Sequence, residues 1–334
     1  GLKFTSFAVG GGTPLILDEG QLEELFCLAE LFGVHPSRVF TSVETSPEYT
    51  QKSVLRQLRA RGVERLSMGV QSFNETELKK LKRRPGLGTV VGALENIVEA
   101  GFPQFNLDLI YGIEGQTVES FMRSLNTALT YRPNELFIYP LYVRPGTRID
   151  VRSTDDIGYA IYKSARELLV GQGFVQTSMR RFVRRETTET EFSCGDEVML
   201  SCGAGGRSYL GNLHYATPYA VRQQAIADEI DHYIRTTDFM TAANGFLLST
   251  EEMQIRFIIK NLMYHRGVDL AEYEKRFGEK PDRNLFREFT DRGWIEETGR
   301  IVRLTEEGMA YSDYIGQAFI SPAVRKLMSE YVYP

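Results

Sequence analysis

Apolar residues in the first half of the chain alternate between two kinds of spacing. Between short β-rich runs, they recur with helical periodicity, as in the segment 21–33. This alternation with short connections predicts an α/β fold whose parallel strands are joined by right-handed crossovers, either a partial (β/α) barrel or an open doubly wound sheet. The predicted strands are residues 4–9, 39–45, 65–70, 105–112 and 135–141.

Local signals mark where the predicted helices begin and end. Gly33, Gly62 and Gly101 stand where C-terminal caps belong, because glycine tolerates the left-handed conformation found there. Asn74, followed by Glu77, has the form of a capping box at a helix N-terminus. The helix boundaries are therefore specified by the local sequence.

The character of the sequence changes twice along the chain. Residues 1–150 carry the strand–helix repeat, and 151–245 are less regular, with a strand-like run FVQTSMRRFV and a glycine-rich stretch. Residues 246–334 combine compact helices with a hairpin, which is typical of a winged-helix-like α+β domain. We predict a partial barrel, a barrel extension on the substrate side and a small C-terminal domain. Acidic residues among the bases of the last domain favour a packing or lid role over DNA binding.

Composition narrows the classes of function. The 39 Lys and Arg residues against 44 Asp and Glu give a net charge of −5, which argues against nucleic acid as a partner. No apolar run approaches the roughly 20 residues of a membrane span and no secretory leader is recognisable, so we predict a cytoplasmic protein without membrane contact, and a monomer. Three cysteines are too few for a disulfide framework, and Cys27 lies in a helical pattern typical of a buried structural thiol.

Polar residues cluster at the C-terminal ends of the predicted strands, where α/β folds bind ligands. The run GGGTP follows the first strand, and its glycines let backbone N–H groups approach a nucleotide-like or amino-acid-like ligand. It matches neither the dinucleotide fingerprint nor the P-loop. Glu44, Gln71, Asp108 and Tyr142 fall near later strand ends and predict one shared site, although Glu44 and Asp108 could also be solvated loop carboxylates.

Five ordered blocks carry a resemblance to a known family: GGGTP, SVETSP, RLSMGVQSFNETELKKLKR, NLDLIYGIEGQT and YPLYVRPGT. Together they resemble the radical SAM superfamily, in particular the branch related to oxygen-independent coproporphyrinogen III oxidase. The segment GVDLAEYEKRFG resembles the small C-terminal domain of that branch. The resemblance implies a radical SAM partial barrel that binds S-adenosyl-L-methionine and a [4Fe–4S] cluster, whose electron cleaves that ligand to a 5′-deoxyadenosyl radical. It also implies a small-molecule substrate and an electron donor such as flavodoxin or ferredoxin.

The resemblance assigns roles position by position. Gly10, Gly11, Gly12 and Thr13 match the element that holds the amino-acid end of S-adenosylmethionine, and Glu44 matches an acidic residue that contacts the same ligand. The other matched positions are Gln71, Arg83 and Asp108, which imply a second S-adenosylmethionine, and Tyr142, a further ligand position.

The cluster loop of the family, CxxxCxxC, lies ahead of the GGGTP element and is missing from this sequence. Cys27, Cys194 and Cys202 are too far apart to replace it, because a cluster needs thiolates that converge within one loop. We therefore expect no metal ligand in this chain. Either an upstream segment carries the cluster cysteines, which we expect, or the protein is a cluster-free relative.

The resemblance leaves several activities open, because the fold alone does not choose among them. Oxidative decarboxylation of a porphyrinogen, methyl or methylene transfer, and haem-ring opening share the scaffold, and the second ligand set favours the first two. The arginines of QTSMRRFVRR either neutralise substrate carboxylates or form a solvated strand. A haem-binding chaperone without radical turnover is the alternative, with His214 as candidate ligand, because His35 and His265 are predicted on the surface.

Overall fold

A computed structural model describes residues 3–83, 86–142, 155–184 and 198–331, except 219, 221 and 243. These residues form two compact units. The first contains a seven-stranded sheet with its helices, and the second contains the described residues from 198 onward together with 177–179. The division into 1–150, 151–245 and 246–334 stays a prediction.

The first unit alternates strands and helices in the predicted order. Its sheet runs β1-β2-β3-β4-β5-β7-β6, with β1 to β5 parallel and β7 antiparallel to both β5 and β6. The predicted α/β class is thus confirmed, and the strand-like run 174–183 proves to be two strands. The elements are β1 Ser6–Val9, α1 Glu19–Leu31, β2 Phe40–Thr45, α2 Lys52–Ala60, β3 Arg65–Gln71, α3 Glu75–Lys80, α4 Leu87–Ala100, β4 Gln104–Tyr111, α5 Val118–Thr130, β5 Glu135–Pro140, α6 Asp155–Gly171, β6 Phe174–Gln176 and β7 Arg181–Arg184.

The caps explain where the helices begin and end. Gly33, Gly62 and Gly101 have positive φ angles, as the sequence predicts, and Gly101 is the C-cap of α4. Asn74 caps α3, because its Oδ1 atom accepts hydrogen bonds from the backbone N–H groups of Thr76 and Glu77, at 2.9 and 3.4 Å. The predicted capping box is only half correct, because the Glu77 side chain turns into the protein interior, where it accepts other hydrogen bonds.

The two faces of the sheet differ in character, because successive strand residues point to opposite sides. One face is apolar and lies under the helices: Phe7 of β1 contacts Phe26 of α1, and Tyr111 of β4 contacts Phe121 of α5 and Tyr162 of α6. The opposite face is polar in its middle strands, which is unusual in a parallel sheet, where both faces are ordinarily apolar. Its polar residues include Ser42, Glu44, Arg65, Ser67, Gln104, Asn106, Asp108, Glu135 and Arg181.

The second unit contains two antiparallel sheets, in the orders β11-β10-β9-β8 and β12-β14-β13. Ile258, Leu262, Val302 and Ile315 belong to the core around the three-stranded sheet, which confirms the predicted winged-helix-like α+β arrangement. No helix that the structure describes, in either unit, is both long and apolar enough to span a membrane. The elements are β8 Val198–Met199, β9 Arg207–Leu210, β10 Leu213–Ala216, α7 Gln223–Arg235, β11 Gly245–Leu247, α8 Thr250–Leu262, β12 Val268–Asp269, α9 Leu270–Phe277, α10 Asn284–Asp291, β13 Ile295–Thr298, β14 Ile301–Leu304, α11 Glu306–Ala310, α12 Ser312–Ala318 and α13 Pro322–Glu330.

Candidate functional site

The glycine run after β1 forms a turn directly against Glu44 of β2. A Cβ atom on Gly10 would lie 2.9 Å from the carboxyl carbon of Glu44, so only glycine leaves room for that carboxylate. Gly11 has a φ angle of +116° and donates its N–H to Glu44 Oε2 at 3.1 Å. Open space surrounds Gly12, and Thr13 precedes a short 3₁₀ turn. The loop thus presents its backbone beside a carboxylate, as a cradle for a small polar ligand does.

Gln71 ends β3 and folds back onto the polar face. Its φ angle is +72°, a conformation rarely adopted by residues other than glycine, and the register between β3 and β4 shifts between Gly69 and Gln71. A Cβ atom on Gly69 would lie 2.6 Å from Gln71 Nε2. Gly69 therefore provides the space that holds the Gln71 carboxamide, and strained backbone of this kind is common at binding sites.

Asp108 lies in the middle of the polar face, opposite Gly69 in register. Its Oδ1 accepts a hydrogen bond of 2.7 Å from Asn106 Nδ2. Burial raises the pKa of Asp108 to about 7, and the neighbouring Glu44 and Glu135 carboxylates add to the rise, while Asn106 and Arg65 oppose it. A carboxyl group with such a pKa exchanges its proton near neutral pH, as functional carboxyl groups often do.

Glu135 forms the charged base of the same face. Arg65 Nε donates to Glu135 Oε2 at 2.7 Å, and Arg181 Nε donates to the other carboxylate oxygen. Arg65 also donates to Ser42 Oγ at 3.0 Å. Two guanidinium groups thus neutralise one buried carboxylate, which holds β3, β5 and β7 together.

Three of the four arginines between positions 180 and 185 have partners within the protein, so a role in neutralising substrate stays a prediction. Arg181 pairs with Glu135, and Arg184 donates to the Pro133 carbonyl at 3.1 Å. Arg180 donates to the hydroxyl of Tyr142, and its guanidinium carbon lies 5.4 Å from the centre of that ring. Arg185 lies outside the described residues.

The predicted site residues fall into two groups. Gly10, Glu44, Gln71 and Asp108 are associated with the polar face, where Gly10 touches Glu44 and the Glu44 charge acts on Asp108. Arg83 is exposed on the loop after α3, and Tyr142 is half-exposed beyond β5. Sequence reasoning missed three polar residues inside strands, namely Arg65, Asn106 and Glu135.

Glu77 is a further residue whose role the sequence did not reveal. Its side chain is 4% exposed and accepts hydrogen bonds from Ser72 Oγ at 2.6 Å, Gln116 Nε2 at 3.0 Å and Ser120 Oγ at 2.6 Å. Gln116 in turn accepts the N–H of Gly112 at 2.8 Å. This carboxylate therefore ties together the loops that follow β3 and β4.

The described residues offer no ligand set for a metal cluster: within them, no group of three His, Cys, Asp or Glu side chains could hold a metal ion. Cys27 and Cys202 are both exposed, and Cys194 lies outside the described residues. The prediction of a buried Cys27 is wrong. Helix α1 buries the face that carries Leu22 and Phe26, and Cys27 lies on a different, exposed face of the helix.

His214 is buried within the four-stranded sheet of the second unit. It is 8% exposed, and its ring packs edge-to-face against the Tyr209 ring, with 4.6 Å between the ring centres. Its Nε2 atom is buried without a hydrogen-bond partner. Burial lowers the pKa of His214, and the Arg256 charge lowers it further. His35 and His265, predicted on the surface, are both partly buried.

Comparison with known proteins places these features in a family. Residues 2–128 match the Radical SAM superfamily, and residues 248–311 match the HemN C-terminal domain. The heme chaperone HemW of Bacillus subtilis (strain 168) is 27% identical over 334 residues, covering 93% of this chain and 84% of that protein. The oxygen-independent coproporphyrinogen III oxidase of Salmonella typhimurium is 35% identical over 292 residues, covering 80% of this chain but only 62% of that protein.

A solved structure shares the fold. The structure of coproporphyrinogen III oxidase (HemN) from Escherichia coli, a radical SAM enzyme, superimposes with a TM-score of 0.77 at 22% identity, covering 94% of this chain and 77% of that chain. This superfamily implies S-adenosylmethionine and a [4Fe–4S] cluster. The glycine cradle and the carboxylates beside it fit the first, whereas the described residues contain no ligands for the second. The chain belongs to the radical SAM superfamily, on the coproporphyrinogen-oxidase-like branch that carries a HemN C-terminal domain.

Proposed function

We propose that the chain binds S-adenosylmethionine on the polar face of its first unit and uses it to oxidise a small molecule of the tetrapyrrole class by oxidative decarboxylation. The observation that carries the proposal is the arrangement of three residues on one side of the sheet: Gly10 directly after β1, Glu44 near the end of β2 and Asp108 in the middle of β4. When bound and reduced, S-adenosylmethionine supplies a 5′-deoxyadenosyl radical that abstracts hydrogen from a substrate. Methyl or methylene transfer has no support from the named relatives.

Each residue of the face has a role that its geometry supports. The open backbone at Gly12 is suited to the ligand's carboxylate, and the Glu44 carboxylate, which accepts the Gly11 N–H, is suited to the ligand's ammonium group. Asp108 is suited to a sugar hydroxyl, because its ionised carboxylate accepts a hydrogen bond from such a group. We assign Glu44 and Asp108 to a single ligand molecule, and the stoichiometry of binding tests for a second molecule.

Calorimetric titration tests the proposal. S-Adenosylmethionine is titrated into the anaerobically prepared chain, into Glu44→Ala and Asp108→Ala variants, and into Glu24→Ala, an exposed carboxylate of α1, as control. We expect one molecule bound, weaker binding in the two site variants and unchanged binding in the control. Absence of uptake, or equal affinity in all variants, contradicts the proposal. Detection of 5′-deoxyadenosine after reduction of reconstituted protein then tests the chemistry.

A haem chaperone is the second candidate function, and one observation favours it. The buried Nε2 atom of His214 lacks a partner, and because its lowered pKa keeps the ring neutral at pH 7, its lone pair can bind iron. The matched relatives include proteins named as heme chaperones. Haem absorbance is measured with the wild type, His214→Ala, and His232→Ala as an exposed control. A His214-dependent spectrum without 5′-deoxyadenosine formation supports the chaperone over the enzyme.

A further inference from the structure

Asn106 occupies a central position on the polar face, two residues before Asp108 on β4. It is 1% exposed. Its Nδ2 atom donates to Asp108 Oδ1 at 2.7 Å and to Ser67 Oγ at 2.7 Å. Its Oδ1 atom is buried and has no hydrogen-bond partner. Turning the carboxamide over would place Oδ1 against the carboxylate instead, so the orientation that the structure shows is the one that favours an ionised Asp108.

The charged groups around Asp108 act on it through their charge, whereas Asn106 donates a hydrogen bond to it. Arg65 on β3 lowers the pKa of Asp108 through its charge, but its guanidinium donates to Glu135 and Ser42. Glu44 on β2 and Glu135 on β5 raise the pKa. On β5, the Tyr139 hydroxyl is neutral, because burial and the charge of Asp108 raise its pKa, whereas the Arg180 charge lowers it. Asn106 is therefore the neighbour that stabilises the carboxylate by a direct hydrogen bond.

We propose that Asn106 is a positioning residue: it fixes Oδ1 of Asp108 within the sheet, is itself fixed by Ser67, and leaves the other carboxylate oxygen available to the ligand. This inference rests on the proposed binding of S-adenosylmethionine at Asp108. Its consequence is specific. Without the Asn106 hydrogen bond, the ionised form of Asp108 loses its direct donor, so the pH at which Asp108 ionises, and above which the ligand binds fully, becomes higher.

The first test uses the ligand-free protein. Carboxyl ¹³C resonances are followed by NMR as a function of pH in the wild type, Asn106→Leu and Asn106→Ser, with Asp108→Asn to assign the Asp108 signal. We expect a titration midpoint near 7 in the wild type. Loss of a hydrogen bond to a charged group should raise it by about one to two pH units in both Asn106 variants, and Ser67→Ala should raise it less. An unchanged midpoint in a folded Asn106 variant overturns the proposal.

The second test measures the consequence for binding. S-Adenosylhomocysteine is titrated calorimetrically into the wild type and both Asn106 variants at pH 6, 7, 8 and 9. We expect about a tenfold loss of affinity in the variants at pH 7, which diminishes as the pH rises and Asp108 ionises. A loss that is equal at every pH indicates a merely structural role and overturns the inference. If no protein binds the ligand, the proposed function fails, while the NMR titration still decides the role of Asn106.

Discussion

Replacement of Gly10 by alanine tests the geometry of the glycine cradle directly. The added methyl group would lie 2.9 Å from the Glu44 carboxyl carbon and 3.0 Å from both carboxylate oxygens, closer than such atoms pack. Because the carboxylate is the far end of a flexible side chain, we expect it to move while the backbone stays in place. The substitution should therefore displace Glu44 from the Gly11 N–H without disturbing the fold.

The expected magnitude follows from the bond that is lost. A hydrogen bond between a backbone N–H and a carboxylate contributes about 1.5–3 kcal/mol, and solvent at this exposed position reduces that to the lower end. If the displaced carboxylate binds the ligand's ammonium group, the affinity should fall by about 5- to 30-fold, or about 1–2 kcal/mol. The free energy of unfolding should change by less than about 1 kcal/mol.

The assay is calorimetric titration of S-adenosylhomocysteine, combined with thermal unfolding. Gly92→Ala is the matched control, because a Cβ atom at Gly92, on α4, meets nothing within 4 Å. A double-mutant cycle with Glu44→Ala then isolates the mechanism. Once Glu44 has been truncated, the Gly10 methyl group should have little further effect. The reasoning is refuted if Gly10→Ala binds the ligand as well as Gly92→Ala does, or if the two substitutions are fully additive.

Three further predictions use other parts of the site. Gly69→Ala should weaken ligand binding at nearly unchanged melting temperature, measured by calorimetry and thermal unfolding, because its methyl group would meet Gln71 Nε2 at 2.6 Å. Burial raises the pKa of Asp108 from 3.8 to about 7, so its contribution to stability is complete below pH 4 and is lost as the pH rises to 7. Asp108→Asn should therefore raise the free energy of unfolding at pH 8 by up to about 4 kcal/mol and change it little at pH 4, and an equal change at both pH values contradicts this. Glu77→Gln should lower the free energy of unfolding, measured with urea, by about 2–4 kcal/mol, because a carboxamide cannot accept hydrogen bonds from all three donors. A change below about 0.5 kcal/mol contradicts this prediction.

The fold could be predicted from the sequence because periodicity and glycine caps agree with the tertiary structure. The five parallel strands begin and end within two residues of their predicted bounds. The run 174–183 was less informative, because a short apolar stretch does not show where a chain reverses. The separation of β6 and β7 becomes evident only from the pairing of β7 with both β5 and β6. At Glu77, by contrast, tertiary contacts override a local rule. Asn74 caps α3 as predicted, but Glu77 accepts hydrogen bonds from three donors in the protein interior instead of from the backbone of Asn74.

The site could be predicted only where it coincides with strand ends. Glu44 and Asp108 were found by the rule that parallel strands bind ligands at their C-terminal ends. Arg65, Asn106 and Glu135 lie at or near the beginnings of their strands, so that rule could not find them. Alternation in a strand shows which residues share a face, but it does not show whether that face is solvated or enclosed. The only signal for Arg65, Asn106 and Glu135 was their polarity, and polar residues on one face of a strand are equally typical of a face exposed to solvent.

Two carboxylates of the polar face, Glu135 and Asp108, have different hydrogen-bond partners, and this difference distinguishes a structural carboxylate from a candidate functional one. Glu135 receives two guanidinium groups, which offset the cost of removing its charge from water and join three strands. Asp108 receives one neutral amide instead, and its pKa rises to about 7 as a result of burial. A purely structural carboxylate in this position would be better stabilised by a cation, as Glu135 is. A carboxyl group that is held in place yet incompletely neutralised can still bind a ligand hydroxyl, and we therefore predict that Asp108, rather than Glu135, contacts the ligand.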